Sequence, residues 1–175
     1  YLVQPGLPTV ENEDEAKRVA EVFNRAGEIA KAAGIKWGYH NHNWEFVQVP
    51  AGKAKPEYAK NPWRSKGTPI QELFITNTDP DKVMFELDVY WTVMGQNDPV
   101  EWMERFPDRI KLLHIKDRWD LGGSGMMNFE NIFNTANKNG ILAFYVELES
   151  DKKGRPQFEG VEMSAKYLNE APFVK

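Results

Sequence analysis

The chain has 175 residues, of which 41% are hydrophobic, and its 22 basic and 26 acidic residues give a net charge of −4 at pH 7. We expect one domain over residues 1–175. No segment concentrates Lys and Arg as a nucleic-acid-binding face does, and no apolar run is long enough to span a bilayer. The absence of cysteine excludes disulfides and thiolate chemistry, which leaves histidines and carboxylates as the strong metal ligands.

The first half of the chain begins with a short apolar run, "YLVQP", which predicts a strand. A helix should follow, because Asn12 can cap it with Glu15 three residues later, and Gly34 should end it. The next predicted strand is "IKWGYHN". From Val47 to Pro69 the sequence turns polar and rich in Pro, Gly and Lys, which predicts a long loop or insertion.

The second half continues the same alternation of helices and strands. A short helix around Ile70 to Thr76 precedes "KVMFELDVYW", which predicts one strand over its whole length. A helix capped by Asp98, the strand "RIKLLHIKD", a helix capped by Asn128, the strand "ILAFYVELE" and a last helix, "VEMSAKYLNE", complete the chain. Five strands alternating with helices predict an α/β fold with a parallel sheet.

Polar side chains recur near the carboxyl ends of four predicted strands. They are His40, Asp88, His114 and Glu147. In parallel α/β folds ligands bind at those ends, and buried polar groups need a shared partner to offset their desolvation. Two imidazoles and two carboxylates predict a site for a divalent metal ion such as Mn, Zn, Mg or Co.

Each of these residues also has a structural explanation. Asp88 could be a helix cap, His114 a buried core histidine, and Glu147 the partner of a buried lysine, while Glu86 could be a structural charge. The repetition at four strand ends, more than any single residue, favours the metal site.

Further candidates lie close to these four in the sequence. They include possible acid/base groups, substrate clamps and aromatic walls for a sugar: His42, Glu45, Lys116, Asp117, Arg118, Glu149, Trp44 and Trp91. His42 lies two residues after His40, so both could face one site. The run "GGSG" from Gly122 lacks the spacing of a P-loop, which favours an active-site loop over a phosphate cradle.

Four stretches resemble the sugar phosphate isomerase/epimerase family of the xylose-isomerase-like TIM barrels. They are "AGIKWGYHNHNWEF", "FELDVYWTVMGQNDPVEWMERFPDRIKLLHIKD", "GSGMMNFENIF" and "FYVELE". That group also contains inosose dehydratases, sugar 3-epimerases and, more distantly, endonuclease IV. Three histidines and no basic face make an endonuclease a poor expectation.

The resemblance implies metal ligands at Asp88, His114 and Glu147. The remaining family ligand falls on His40, where many relatives have the Glu that epimerases pair with the last one for proton transfer. Trp91 stands where sugar epimerases tend to place a substrate-binding His. The resemblance also implies that the chain begins near the fourth of eight strands, so it should be the C-terminal part of a (β/α)8 barrel. Its sheet would then need further chain or association with another copy, and localisation cannot be predicted.

The functional expectation is a metal-dependent isomerase or epimerase of a sugar or sugar derivative. Glu147 is the expected base, Lys116 or Arg118 stabilises the developing enediolate oxygen, and His40 or His42 serves the opposite face. Trp44, Trp91 and Arg118 are expected to bind the substrate. The first alternative is a dehydratase or lyase of a keto-sugar or keto-inositol, which the loss of the second carboxylate at His40 favours. The second is a non-catalytic sugar-binding or truncated barrel.

Overall fold

A computed structural model describes residues 1–7, 9–54, 66–149 and 154–174. In chain order the strands are Leu2–Gln4 (β1), Trp37–His40 (β2), Gln48–Val49 (β3), Thr68–Pro69 (β4), Val83–Asp88 (β5), Ile110–Lys116 (β6) and Ala143–Glu147 (β7). The α-helices are Glu13–Ala32 (α1), Ile70–Thr76 (α2), Val89–Met94 (α3), Pro99–Arg105 (α4), Phe129–Lys138 (α5) and Gln157–Glu170 (α6), and a 3₁₀ turn covers Trp44–Phe46.

The main sheet has the strand order β1-β2-β5-β6-β7, and every neighbouring pair in it is parallel. The predicted parallel sheet is therefore confirmed, with its strands adjacent in chain order as in half of a barrel. β3 and β4 form a separate antiparallel pair at the two ends of the predicted insertion. Residues 55–65 of that insertion lie outside the described part of the chain. Across the described residues, no helix combines the length and apolar character that crossing a membrane requires.

The cap of α1 is formed as predicted at Asn12, whose Oδ1 accepts a hydrogen bond from the Glu15 backbone N–H at 3.0 Å. The Glu15 carboxylate bonds one residue further back than a standard capping box, to the N–H of Glu11 at 2.8 Å. Gly27 lets α1 approach the chain before β5, because a Cβ there would lie 2.2 Å from the Lys82 carbonyl oxygen. The helix thus packs closely against the sheet.

The prediction of one strand over "KVMFELDVYW" is wrong. The strand ends at Asp88, and the helix α3 begins at Val89. The reason is the Asp88 carboxylate, whose Oδ1 accepts a hydrogen bond from the Trp91 backbone N–H at 2.7 Å and so caps the helix. This local cap outweighs the strand preference of the β-branched and aromatic residues that follow.

Alternation along the strands sends one set of side chains to the helices and the other to the concave side of the sheet. Trp37 and Tyr39 of β2 pack on Phe23 of α1, with ring centroids 5.1 and 4.9 Å apart, so His40 faces the opposite way. All six residues of β5 are buried, including two carboxylates. The sheet therefore carries charged groups on its inner side near the carboxyl ends of its strands.

Candidate metal centre

Three of the four predicted metal ligands lie together at the carboxyl ends of β2, β5 and β6. Asp88 Oδ2 is 3.2 Å from His114 Nδ1 and 3.9 Å from His40 Nε2. One possible ligand atom of each of the three residues lies within 4.8 Å of the others. The sheet produces this grouping directly, because Asp88 and His114 are register partners on neighbouring strands.

The donor atoms fit a divalent cation. Asp88 Oδ2 and His114 Nδ1 are both buried and, within the described residues, neither has a hydrogen-bond partner. Such orphaned buried atoms are costly unless a cation or another group satisfies them. Donors around a tetrahedral Zn²⁺ with bonds of about 2.0 Å are separated by roughly 3.3 Å. The distances of 3.2 and 3.9 Å bracket that separation.

The pKa of His114 is raised above its usual value. Burial alone would lower it, but contact with the Asp88 carboxylate and the negative charges of Glu86 and Glu147 outweigh the burial. Acidic groups thus surround the imidazole, and their negative charge favours a cation at this point.

The fourth predicted ligand, Glu147, lies at the same end of the sheet but outside the three-residue group. Its Oε2 accepts a hydrogen bond from Lys116 Nζ at 2.7 Å, and Lys116 also donates to Glu149 Oε2 at 2.6 Å. This is the buried-lysine pairing that the sequence offered as the structural alternative. Burial raises the pKa of Glu147, but Lys116 and the nearby His114 and His40 lower it by more.

Lys116 is almost completely buried between these two carboxylates. Its pKa is raised because the hydrogen bonds and charges of Glu147 and Glu149 outweigh the effect of burial. The ammonium group also lies 5.7 Å from the ring centre of Trp91. Lys116 is therefore a fixed cation and a hydrogen-bond donor beside the three-residue group, and it is not a base at neutral pH.

His42 lies at the rim of the candidate site, between a ligand and an aromatic side chain. Its ring is 5.0 Å from that of His40 and 5.6 Å from that of Trp91. Glu45 supports this segment, because its Oε2 accepts a hydrogen bond from the His42 backbone N–H at 2.8 Å and its Oε1 accepts one from the Tyr39 hydroxyl at 2.5 Å. Burial, then the charge of Glu45, raises the Tyr39 pKa. Glu45 thus fixes the backbone that carries His42.

Asn41 is a buried residue beside the candidate site that the sequence interpretation missed. It is fully buried, its Oδ1 accepts a hydrogen bond from the Asp88 backbone N–H at 3.1 Å, and its Nδ2 lies 3.5 Å from the Asp88 carbonyl oxygen. The side-chain amide thereby continues the pairing between β2 and β5 past the end of β2. The available signal was a polar Asn directly after a predicted strand, but the sequence interpretation considered only the two histidines on either side of it.

The remaining candidates are placed as follows. Trp44 is mostly exposed on the turn after β2, and the Arg118 guanidinium lies 5.1 Å from the ring centre of Trp119. The Asp117 carboxylate accepts hydrogen bonds from the N–H of Gly122 at 3.1 Å and from the hydroxyl of Ser124. Asp117 therefore organises the "GGSG" loop and uses its amide groups, which counts against a phosphate cradle there.

The parallel half-barrel and the polar group at its strand ends define an α/β-barrel protein of the kind whose sites lie at that face. Residues 1–171 match the family model described as "Xylose isomerase-like TIM barrel", and the chain belongs to that family.

Solved structures and curated sequences agree with this assignment. A sugar phosphate isomerase/epimerase from Parabacteroides distasonis ATCC 8503 is 70% identical with a TM-score of 0.93, over 99% of this chain and 60% of that one. An inosose dehydratase from Lacticaseibacillus casei is 28% identical over 90% of this chain and 55% of its own length. The IOLI protein with a bound zinc atom, 16% identical with a TM-score of 0.66 over 99% of this chain and 62% of that one, shares the fold.

The chain spans little more than half the length of the curated relatives that it matches. The names of these relatives describe inosose dehydratases, whereas the 70% identical solved structure is named a sugar phosphate isomerase/epimerase.

Proposed function

We propose that the protein is a metal-dependent isomerase or epimerase that removes a proton next to the carbonyl group of a sugar or sugar derivative. The observation that carries this proposal is the meeting of His40, Asp88 and His114 beside the Lys116–Glu147 ion pair. The first set offers donors for a divalent ion, and the second offers a carboxylate and a fixed cation within reach of the same space.

His40, Asp88 and His114 would hold the ion, with Glu147 as the proposed fourth ligand. A bound divalent ion polarises a carbonyl and its neighbouring hydroxyl, which makes the adjacent C–H more acidic. Mn, Zn, Co and Mg all remain candidates, and the two imidazole donors favour the first three over Mg. The zinc atom in the IOLI protein is consistent with this choice.

Glu147 is the proposed base. Its lowered pKa keeps the carboxylate ionised at neutral pH, so it can accept a proton once substrate displaces Lys116 from it. Lys116 donates from a buried position, where an ammonium group stabilises the negative oxygen that develops as the proton leaves. We assign His42 to the opposite face of the substrate, and Trp91, Trp44 and Arg118 to substrate binding.

Elimination is the second candidate, and two observations favour it. Position 40 carries a histidine in place of a second carboxylate. Epimerisation by two matched carboxylates, one removing the proton and the other returning it on the opposite face, is therefore disfavoured. Curated relatives that are 23–28% identical to this chain are named inosose dehydratases. Removal of the same proton from a keto-sugar or keto-inositol would then be followed by cleavage of the bond to a β-hydroxyl, which leaves as water once it is protonated, or to another leaving group, and a C=C bond forms.

Product analysis by NMR in deuterated water separates the two reactions. Incorporation of deuterium at one carbon, with no other change in the mass of the sugar, indicates isomerisation or epimerisation. An unsaturated product indicates elimination. The substrate panel should contain ketoses, their phosphates, keto-glycosides and inososes. A protein that binds metal fully but turns over none of them would instead support a non-catalytic sugar-binding barrel.

A further inference from the structure

Behind the candidate metal centre lies a buried carboxylate, Glu86, that no step of the proposed reaction uses. Its Oε2 is 2.9 Å from His40 Nδ1, and both side chains are less than 10% exposed. Glu86 comes two residues before Asp88 on β5 and is the register partner of His40 on β2. The sheet therefore holds this pair together independently of any ligand.

An ionised carboxylate accepts hydrogen bonds and donates none, so the proton of this contact belongs to His40 Nδ1. In the neutral ring this contact fixes the tautomer, and His40 Nε2 then lies on the side of Asp88, 3.9 Å from its Oδ2. Within the described residues, no lysine or arginine forms an ion pair with Glu86. Burying a carboxylate whose ionic partner is a histidine costs free energy of folding, so we expect this residue to have a role that offsets the cost.

We infer that Glu86 is a positioning residue: it holds His40 with Nδ1 protonated and Nε2 free, and so makes His40 a metal donor. A carboxylate behind a ligating histidine orients the ring and increases its basicity. Glu86 acts through His40 and does not itself touch the metal or the substrate. This inference rests on the proposed metal centre and is independent of the reaction carried out there.

The test compares Glu86→Gln with Glu45→Gln. Both residues are buried glutamates of the same region, but Glu45 contacts Tyr39 and the His42 backbone and none of the three donors. Binding of Zn²⁺ and Mn²⁺ to the chelator-treated proteins is measured by competition with a chromophoric chelator, and circular dichroism checks that each variant is folded. We expect Glu86→Gln to weaken metal binding about 10- to 100-fold, the usual effect of removing such a partner, and Glu45→Gln to leave it unchanged.

A measurement on the wild-type protein covers the case in which Glu86→Gln does not fold. Nitrogen-15 NMR of the histidine rings should show Nδ1 of His40 protonated before and after Zn²⁺ is added, with the shift confined to Nε2. Equal metal affinity in Glu86→Gln and wild type, or a wild-type ring protonated on Nε2 alone, would overturn the inference. If metal affinity depends on Glu86 as expected but no sugar is turned over, only the proposed function fails. If the wild-type protein binds no metal, both the proposed function and this inference are overturned.

Discussion

Asp88 and His114 face each other across neighbouring strands with Asp88 Oδ2 3.2 Å from His114 Nδ1, while the other carboxylate oxygen of Asp88 caps α3. One side chain thus serves the fold with Oδ1 and the candidate site with Oδ2. The two explanations that the sequence offered for Asp88, a helix cap and a metal ligand, are compatible with each other in this geometry.

This division of labour predicts different effects for two substitutions. Asp88→Asn keeps an oxygen that can cap the Trp91 N–H, so the metal-free protein should keep its stability, while metal affinity falls about 100-fold or more because the charged donor is lost. Asp88→Ala should lose metal affinity too and also about 1 kcal/mol of stability from the cap. Urea unfolding of metal-free protein and metal titration measure the two effects separately. Full metal affinity in Asp88→Asn would contradict the assignment.

The second prediction concerns Glu147 as the base. Glu147→Gln should keep part of the metal affinity but lower turnover by about a hundredfold or more, because the amide cannot accept the proton. Metal occupancy by elemental analysis is measured beside turnover on the sugar panel. Glu149→Gln is the matched control, since Glu149 also accepts from Lys116 but carries no assigned role in proton transfer. Near-normal turnover of Glu147→Gln at full occupancy would place the base elsewhere, with His42 as the next candidate.

The third prediction uses the effect of Lys116 on the Glu147 pKa. Lys116 lowers that pKa, so Lys116→Met should raise it toward the ordinary value of about 4.5, and the acid limb of the pH–rate profile should move to higher pH. Turnover at the optimum should fall by about a hundredfold because the oxygen-stabilising donor is lost, while metal is retained. An unchanged acid limb would show that Lys116 does not control the group that titrates there.

The fourth prediction concerns pH and the metal-free protein. The folded-state pKa of His114 lies above the unfolded value of about 6.5, so its contribution to stability is complete below about pH 6.5 and is lost as pH rises through the raised pKa. Metal binding needs the neutral ring, so the increase in melting temperature caused by Zn²⁺ should grow over the same interval. Thermal unfolding with Zn²⁺ and with a chelator measures both trends. His114→Gln should remove the contribution of His114 to the pH dependence of stability and to that of the Zn²⁺-induced rise in melting temperature.

The fifth prediction concerns Asn41, which holds the Asp88 backbone. Asn41→Ala should destabilise the protein by about 1–3 kcal/mol, because the Asp88 N–H loses its buried acceptor. Metal affinity should also fall, since Asp88 is then less well fixed. The half-buried Asn43, which makes no side-chain capping bond to the following turn, provides the control, and Asn43→Ala should change stability little. Comparable losses in the two variants would argue against the role of Asn41.

Much of the sheet could be predicted from local patterns. Apolar runs gave the strands, and capping residues such as Asn12 and Asn128 marked the helix starts, since those signals lie within a few residues of the elements they define. The start of α3 was missed because Asp88 follows a strand of high β-propensity without a turn between them. There the cap alone, rather than the composition, decides where the strand ends.

The site was predicted less completely, for a different reason. The alternation of side chains along each strand and the position of each strand's carboxyl end were enough to predict that His40, Asp88 and His114 lie together. They could not show which neighbour each side chain selects. The contacts of Glu86 with His40 and of Lys116 with Glu147 join residues 46 and 31 positions apart, so they depend on register and side-chain rotamers that no local pattern contains.

The most direct test of the central claim is anomalous diffraction from crystals of the protein loaded with Mn²⁺ or Zn²⁺. We expect one anomalous peak at the carboxyl ends of β2, β5 and β6, about 2.0–2.3 Å from His40 Nε2, Asp88 Oδ2 and His114 Nδ1. The Glu147 carboxylate should turn from Lys116 toward the same peak. A peak bound elsewhere, or loaded crystals with no peak between these three side chains, would contradict the account.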